Sequence, residues 1–321
     1  MTKQKVFVTR LIPEKGLELI REFCDADVWT GELPPPAEEI IRRVRDVEGI
    51  VSLLTDKMDT GVMEAAKNLK VISNMAVGVD NVDIAAATRR NLPVGNTPGV
   101  LTDATADQTF ALLLAAARRV VEGEKFVRSG KWVTWGPRLL LGADLAGATL
   151  GLIGFGRIGQ AVAKRAQGFD LHVIYHDPTA QPAFGALAVE LEALLHESDF
   201  VSLHVPLTTE TRHLVNAEFL SKMKPTSILI NTSRGGVVDQ PALFKALKEK
   251  QIFAAALDVT DPEPLPVDSP LLELDNCLIV PHLGSASKHT RDMMSYLAAQ
   301  NLIAGLKGER LPLCVNPEVY K

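Results

Sequence analysis

The chain is poor in cysteine, with three in 321 residues, at 24, 277 and 314. None forms a CxxC pair, so no disulfide framework or paired-thiol redox motif is indicated, and the thiols suit a reducing compartment. Long apolar runs are also missing. The longest, Phe110 to Ala117, closes on Arg118-Arg119 and is far too short to span a bilayer. The opening MTKQKVFVTR lacks the apolar stretch and small-residue cleavage site of a secretory signal, which leaves the cytoplasm as the expected location. There is no basic excess either. A net charge of −5 without a basic tract gives no general electrostatic reason to bind nucleic acid or a membrane surface. No GxSxG elbow or GxxxxGK[ST] loop occurs, which removes the usual sequence grounds for serine hydrolysis or P-loop chemistry. His172, His176, His196, His204, His213 and His289 make no metal-ligand pattern with acidic or thiol partners, and no metal is expected. No solenoid-length repeat or low-complexity tract is present.

What remains is an ordinary globular balance, 46% apolar and 23% charged, at a length that suggests two domains. Short apolar runs alternate with helical patterns. Lys5 to Thr9 predicts a strand, Glu14 to Phe23 a helix, Gly49 to Leu54 and Leu69 to Ala76 buried strands with a helix near Thr60 to Lys67 between them, and Leu92 to Thr97 closes the section. Strands alternating with helices imply a mostly parallel sheet. Asp103 to Arg128 is a long Ala- and Leu-rich helical stretch, expected to bridge domains rather than to pack on a sheet. Trp132 to Leu141 has no periodicity and predicts an exposed arm. A second section then gives six strands: Thr149 to Gly154, Leu171 to Asp177, Asp199 to Val205, Ser227 to Ser233, Phe253 to Val259 and Cys277 to Pro281. That is the strand complement of a doubly wound nucleotide domain. The last helix, about Lys288 to Lys307, is expected to cross back to the first domain. The resulting expectation is an α/β fold of two doubly wound parallel-sheet lobes. Residues 101–289 form a Rossmann domain carrying a dimerisation arm near 101–147. Residues 1–100 and 290–321 form a smaller, flavodoxin-like substrate domain.

Gly154-Phe155-Gly156-Arg157-Ile158-Gly159 reads G-x-G-x-x-G between a predicted strand and a predicted helix, the context that gives this motif its meaning. The first glycine permits a tight turn and the second lets backbone approach a pyrophosphate at the helix N-terminus. The third allows close helix–strand packing. Asp177 ends the next strand, where a carboxylate accepts hydrogen bonds from the adenine ribose hydroxyls and repels a 2′-phosphate. The expected cofactor is therefore NAD(H), with NADP(H) as the alternative that neighbouring His176 leaves open.

Reducing a 2-keto acid needs a cation for the carboxylate, a proton donor at the carbonyl oxygen and a group that keeps the donor charged and oriented. Arg234, Glu263 and His282 each follow a predicted strand of the nucleotide domain, and the carboxyl ends of parallel strands share one face. A guanidinium can grip a carboxylate with two parallel hydrogen bonds. An imidazole is the natural acid–base group, and a neighbouring carboxylate favours its charged form. Taken singly, each residue reads as well as a turn or loop residue; together they favour catalysis. Gly78, where a strand of the first lobe ends, offers a backbone N–H to the substrate carboxylate.

The segments NTPGVLTDATAD, LIGFGRIGQAVAKR, NTSRGGVVDQ, ALDVTDPEPLP and PHLGSA resemble the D-isomer-specific 2-hydroxyacid dehydrogenases over nearly the whole chain. The glyoxylate/hydroxypyruvate reductases are the nearest branch, through Asp258 to Pro266 and the Trp132-Val133-Thr134-Trp135 arm. The resemblance implies Arg234, Glu263 and His282 as the catalytic trio and Asp258 as partner of the nicotinamide carboxamide. It implies Val77 and Gly78 as backbone donors to substrate, Leu54 as a lining residue, and Pro206, Thr232, Gly284 and Ser285 as neighbours of cofactor or substrate. It further implies a homodimer in which Trp135 reaches the neighbouring active site and limits substrate size. The animal members of that branch prefer NADPH and carry basic or neutral groups after the second strand, where this chain has Asp177. The expected reaction is NADH-dependent reduction of glyoxylate and hydroxypyruvate to glycolate and D-glycerate. Broader D-2-hydroxyacid dehydrogenases acting on pyruvate or larger keto acids, and a dinucleotide-sensing corepressor on the same fold, are the alternatives.

Overall fold

A computed structural model describes residues 3–321. The chain begins with β1 (Gln4–Val8), α1 (Glu14–Phe23), β2 (Cys24–Val28), α2 (Ala37–Arg43), β3 (Gly49–Ser52), α3 (Thr60–Ala65), β4 (Val71–Asn74), α4 (Ile84–Arg89) and β5 (Val94–Gly95). These strands form one parallel sheet in the order β2-β1-β3-β4-β5, the doubly wound order of the flavodoxin type. All four residues of β3 and of β4 are buried, as expected of parallel strands covered on both faces. The strand β2 was not legible in the sequence. Its CDADV exposes alternate residues at the sheet edge, so it carries too little apolar signal to stand out from a loop. Side chains of Asp59 and Asp83 cap α3 and α4 by accepting from Val62 and Ala86 N–H, which ends each preceding loop at a defined residue.

A second compact unit spans Thr102–Ala286. It runs α5 (Thr102–Ala117), α6 (Val120–Arg128), β6 (Thr149–Ile153), α7 (Arg157–Ala166), β7 (His172–His176), β8 (Leu187–Ala188), α8 (Leu191–Glu197), β9 (Phe200–Leu203), α9 (Ala217–Lys222), β10 (Ile228–Asn231), α10 (Gln240–Lys248), β11 (Ala254–Leu257) and β12 (Cys277–Ile279). Its sheet has seven parallel strands in the order β12-β11-β10-β9-β6-β7-β8. This is the Rossmann arrangement extended by one strand, with its direction of winding reversing between β6 and β9. The strand missing from the sequence reading is β8, two exposed residues paired to β7, too short to show periodicity.

The helical stretch after residue 102 departs from expectation. Arg119 adopts φ 52° and separates α5 from α6. Instead of bridging, α5 packs against β10, β11 and α7 and places Phe110, Leu112 and Leu113 in the core of the nucleotide unit. A helix apolar around most of its circumference is a buried one, and the Ala- and Leu-rich composition of α5 is that signature. The arm beyond α6 is irregular and holds Trp132, Val133 and Trp135 exposed. The chain closes with α11 (Lys288–Leu306). Ser287 caps it by accepting from Thr290 N–H, and it packs on α1, β3 and β4 of the first unit.

Candidate active site

The glycine loop sits where the sheet of the second unit changes winding direction, the usual ligand position in such sheets. Gly154 has φ +90°, and a β-carbon there would lie 2.8 Å from the His204 carbonyl carbon after β9. A β-carbon on Gly159 would stand 2.4 Å from the Gly154 oxygen, so α7 can approach β6 only with glycine here. At Gly156 a β-carbon would meet nothing within 4 Å. Gly156 is also the N-cap of α7, with no side chain capping the first turn, so the helix N-terminus presents its amides to the space beside Gly156.

Asp177 follows β7 and is tied into the same loop. Its Oδ2 accepts from Phe155 N–H at 2.8 Å, while Oδ1 accepts from Thr179 N–H, Thr179 Oγ1 and Ala180 N–H at 2.9, 3.0 and 3.1 Å. Burial pushes this carboxyl up, but those donors outweigh it and hold the group below its ordinary value. The aspartate is thus a fixed anion tied to the glycine loop through Phe155. An open loop, an uncapped helix start and a fixed carboxylate fit the phosphates and ribose of a dinucleotide. His204 lies beneath the loop with Nε2 3.0 Å from Ser202 Oγ, and burial pushes it down to about 4, so it stays neutral.

Three neighbouring strands carry the expected chemical groups. At the end of β10, buried Asn231 accepts from Ser233 N–H and Oγ at 3.0 and 2.9 Å and donates to the Arg234 carbonyl at 2.9 Å. This folds the loop that presents Arg234, which is half-buried. Beyond β11, Glu263 Oε2 accepts from Thr260 N–H at 3.3 Å. Beyond β12, His282 Nδ1 lies 2.5 Å from Glu263 Oε1. Burial pushes Glu263 up, yet the hydrogen bond and charge of His282, the Thr260 amide and the charge of Arg234 together hold it below its ordinary value. Glu263 therefore remains an anion facing the ring. The arrangement can hold an imidazolium, fix the tautomer of the neutral ring and release a proton from the other ring nitrogen.

The remaining expected residues fall as follows. Asp258 follows β11 directly and is 1% exposed. Its Oδ1 and Oδ2 accept from Leu283 and Gly284 N–H at 2.6 and 2.8 Å, and burial raises its carboxyl despite those donors. The Thr232 hydroxyl is 2.9 Å from that of Thr109 on α5. Pro206 is exposed and Ser285 half-buried. Leu54, Val77 and Gly78 belong to the first unit, on the loops after β3 and β4. The Val77 and Gly78 carbonyls accept from Asn96 and Asn74 side chains at 2.9 and 3.1 Å, which fixes the backbone there. Asn231 went unnoticed in the sequence, although one asparagine ending the apolar run ILIN is the signal that could have found it. Among the described residues no group of acidic, His and Cys side chains could hold a metal ion, and no helix is long and apolar enough to cross a membrane.

A dinucleotide cradle and an acid–base pair at the carboxyl ends of one parallel sheet are what a nicotinamide-dependent oxidoreductase requires. Residues 110–284 match the family model described as D-isomer specific 2-hydroxyacid dehydrogenase, NAD binding domain, and the chain belongs to this family. It is 54% identical to a glyoxylate reductase of Korarchaeum cryptofilum over 99% of this chain and 98% of that protein. It is 52% identical to a glyoxylate reductase of Thermococcus litoralis, with 99% and 98% covered. A crystal structure of a Thermus thermophilus protein superposes with a TM-score of 0.93 at 51% identity, over 97% of this chain and 99% of that one. The NADPH-dependent glyoxylate/hydroxypyruvate reductase of Sinorhizobium meliloti, in complex with NADP and malonate, gives 0.87 at 34% identity with 98% of both chains covered.

Proposed function

We propose that this enzyme reduces glyoxylate, and with it hydroxypyruvate, to glycolate and D-glycerate, with NADH preferred over NADPH. The observation that carries the reading is the 2.5 Å contact of His282 Nδ1 with Glu263 Oε1, on the strand end next to the loop of Arg234. The glyoxylate reductases that are half identical over the full length supply the substrate class.

Bound nicotinamide supplies the hydride in reduction and takes it in oxidation. Gly154–Gly159 and Asp177 hold the dinucleotide, with Pro206, Thr232 and Gly284 beside it. Arg234 grips the substrate carboxylate and orients the carbonyl. With Nδ1 engaged by Glu263, His282 gives the Nε2 proton to the carbonyl oxygen as the alcohol forms and takes it back in the reverse direction. Glu263 stabilises the charged ring before transfer and keeps the neutral ring in the tautomer that can be recharged. Ser285 lines the substrate site within the nucleotide unit. The preference for NADH rests on the Asp177 carboxylate, which a 2′-phosphate would approach at a Coulombic cost.

A homodimer accompanies this reading. Trp132, Val133, Trp135 and Leu141 are 58, 91, 77 and 62% exposed in the single chain, an apolar strip suited to a second copy, in which Trp135 would border the partner's substrate and limit its size. Sedimentation of the purified protein checks it. The location proposed is the cytoplasm, in keeping with three free thiols. The deciding experiment is a side-by-side assay of NADH and NADPH with glyoxylate, hydroxypyruvate, pyruvate and bulkier keto acids. The reading expects the highest kcat/KM with NADH and either glyoxylate or hydroxypyruvate. A preference for bulky acids would make it a broader dehydrogenase. Tight NADH binding without turnover would make it a nucleotide sensor.

A further inference from the structure

We propose that Asp258 is a positioning residue that locks His282 in the backbone conformation from which it meets Glu263. His282 has φ +54°, in the left-handed region that non-glycine residues seldom enter and leave readily unless neighbours hold them there. The hold is visible. The Leu283 and Gly284 amides, the two that follow the histidine, donate to Asp258 Oδ1 and Oδ2 at 2.6 and 2.8 Å. The His282 amide itself donates to the Asp258 carbonyl at 2.9 Å and to that of Val280 at 3.1 Å. One buried residue thus engages three consecutive amides around the strained position, two through its side chain and one through its backbone.

No other group at this strand end could replace it without rearrangement. A carboxylate offers an acceptor on each oxygen, which two adjacent amides aimed at separate oxygens require. Asparagine keeps the shape but turns one acceptor into a donor, setting an NH₂ against an N–H and leaving a buried amide unpaired. The loop would then relax toward ordinary backbone angles and swing the ring away from Glu263. Each carboxylate oxygen gives one acceptor site to a loop amide and keeps another, so Asp258 holds the histidine loop whether or not a cofactor carboxamide also meets it.

This inference rests on His282 being the proton donor, and the experiment separates the two. Asp258→Asn and Asp258→Ser are prepared in the wild-type and in the His282→Gln background, with NADH affinity read by fluorescence titration and kcat measured with glyoxylate. In the wild-type background kcat should fall about 10-fold or more while the NADH Kd stays within about threefold, the scale of a lost buried hydrogen bond. In the His282→Gln background the second substitution should change kcat by less than about twofold, since two residues acting as a unit are not additive. Unchanged kcat in the first background overturns the inference. So does an equal loss in both backgrounds with NADH Kd rising in step, which would make Asp258 a cofactor ligand. If His282→Gln alone keeps wild-type activity, the proposed function fails instead. Asp258→Ser carries the same expectations should the asparagine variant not fold.

Discussion

The α-carbon of Gly235 faces the carbonyl of Thr260 so closely that a β-carbon there would lie 1.9 Å from its oxygen and 2.0 Å from its carbon. Gly235 follows Arg234, and Thr260 gives its N–H to Glu263. This one backbone contact sets the guanidinium loop in register with the carboxylate loop. In Gly235→Ala the two backbones must part, since neither partner is a flexible side-chain end. A misplacement of about 1 Å in a reacting group costs on the order of 100-fold. Steady-state kinetics with glyoxylate should show a loss of kcat/KM of that size, with NADH affinity retained. Wild-type kcat/KM in the alanine variant would remove the contact from the mechanism.

Arg234→Ala should raise KM and lower kcat/KM by roughly 100-fold, as expected for losing charge-assisted hydrogen bonds to a carboxylate. Glyoxylate and hydroxypyruvate should suffer alike, because the carboxylate is the part they share. NADH titration of the same protein should give an unchanged Kd, and a substrate-independent loss of cofactor binding would contradict the role.

Asp177→Ala should narrow the preference for NADH over NADPH by roughly 10-fold, the scale of one or two hydrogen bonds to a charged acceptor. Because the Asp177 carboxyl is held below its ordinary value, it stays charged in mild acid. The 2′-phosphate takes a proton at about pH 6, so the wild-type ratio of the two cofactors should be flat above about pH 7 and fall toward about pH 5 as that phosphate loses charge against a carboxylate that keeps its own. A ratio that changes above about pH 7 would show that some other group makes the choice.

His204 predicts the acid limb of stability. Its folded value, about 4, lies below the roughly 6.5 of a free imidazole. As pH falls through that window the unfolded chain takes a proton that the folded one refuses, so stability drops, by about 2 kcal/mol between pH 7 and pH 5. Urea midpoints at the two pH values should differ less in His204→Asn. An equal shift in both proteins would place the acid sensitivity elsewhere.

The readings that succeeded came from local pattern. The run TLGLI before GFGRIG marks a strand, a turn and a helix start within a dozen residues, because a parallel strand is apolar throughout and the turn needs glycine at fixed offsets. Glu14 to Phe23 shows its apolar spacing and forms α1 over that span. The failures were of two physical kinds. CDADV in β2 and Leu187–Ala188 in β8 lie at sheet edges, where half-exposed or very short strands need no apolar run. The length and position of the stretch around α5 suggest a bridge, although its composition points to a buried helix. The supports of the site were hidden for another reason. That Asn231 bonds the Arg234 carbonyl, or that Asp258 meets the Leu283 and Gly284 amides, depends on how a loop folds back. No periodicity records that.

The return of the chain into its first unit has a consequence for biosynthesis. Asn316 takes the Val94 amide on its side-chain oxygen at 2.8 Å and donates to the Leu92 carbonyl at 3.0 Å, while α11 lies against β3 and β4. A ribosome thus delivers the first strands long before the segment that covers them. The nucleotide unit, continuous from Thr102 to Ala286, has all its residues available earlier and can mature while the opening strands still wait for a partner. Losing the final 35 residues, Ser287–Lys321, would leave those opening strands uncovered and aggregation-prone beside a nucleotide unit whose own chain is whole.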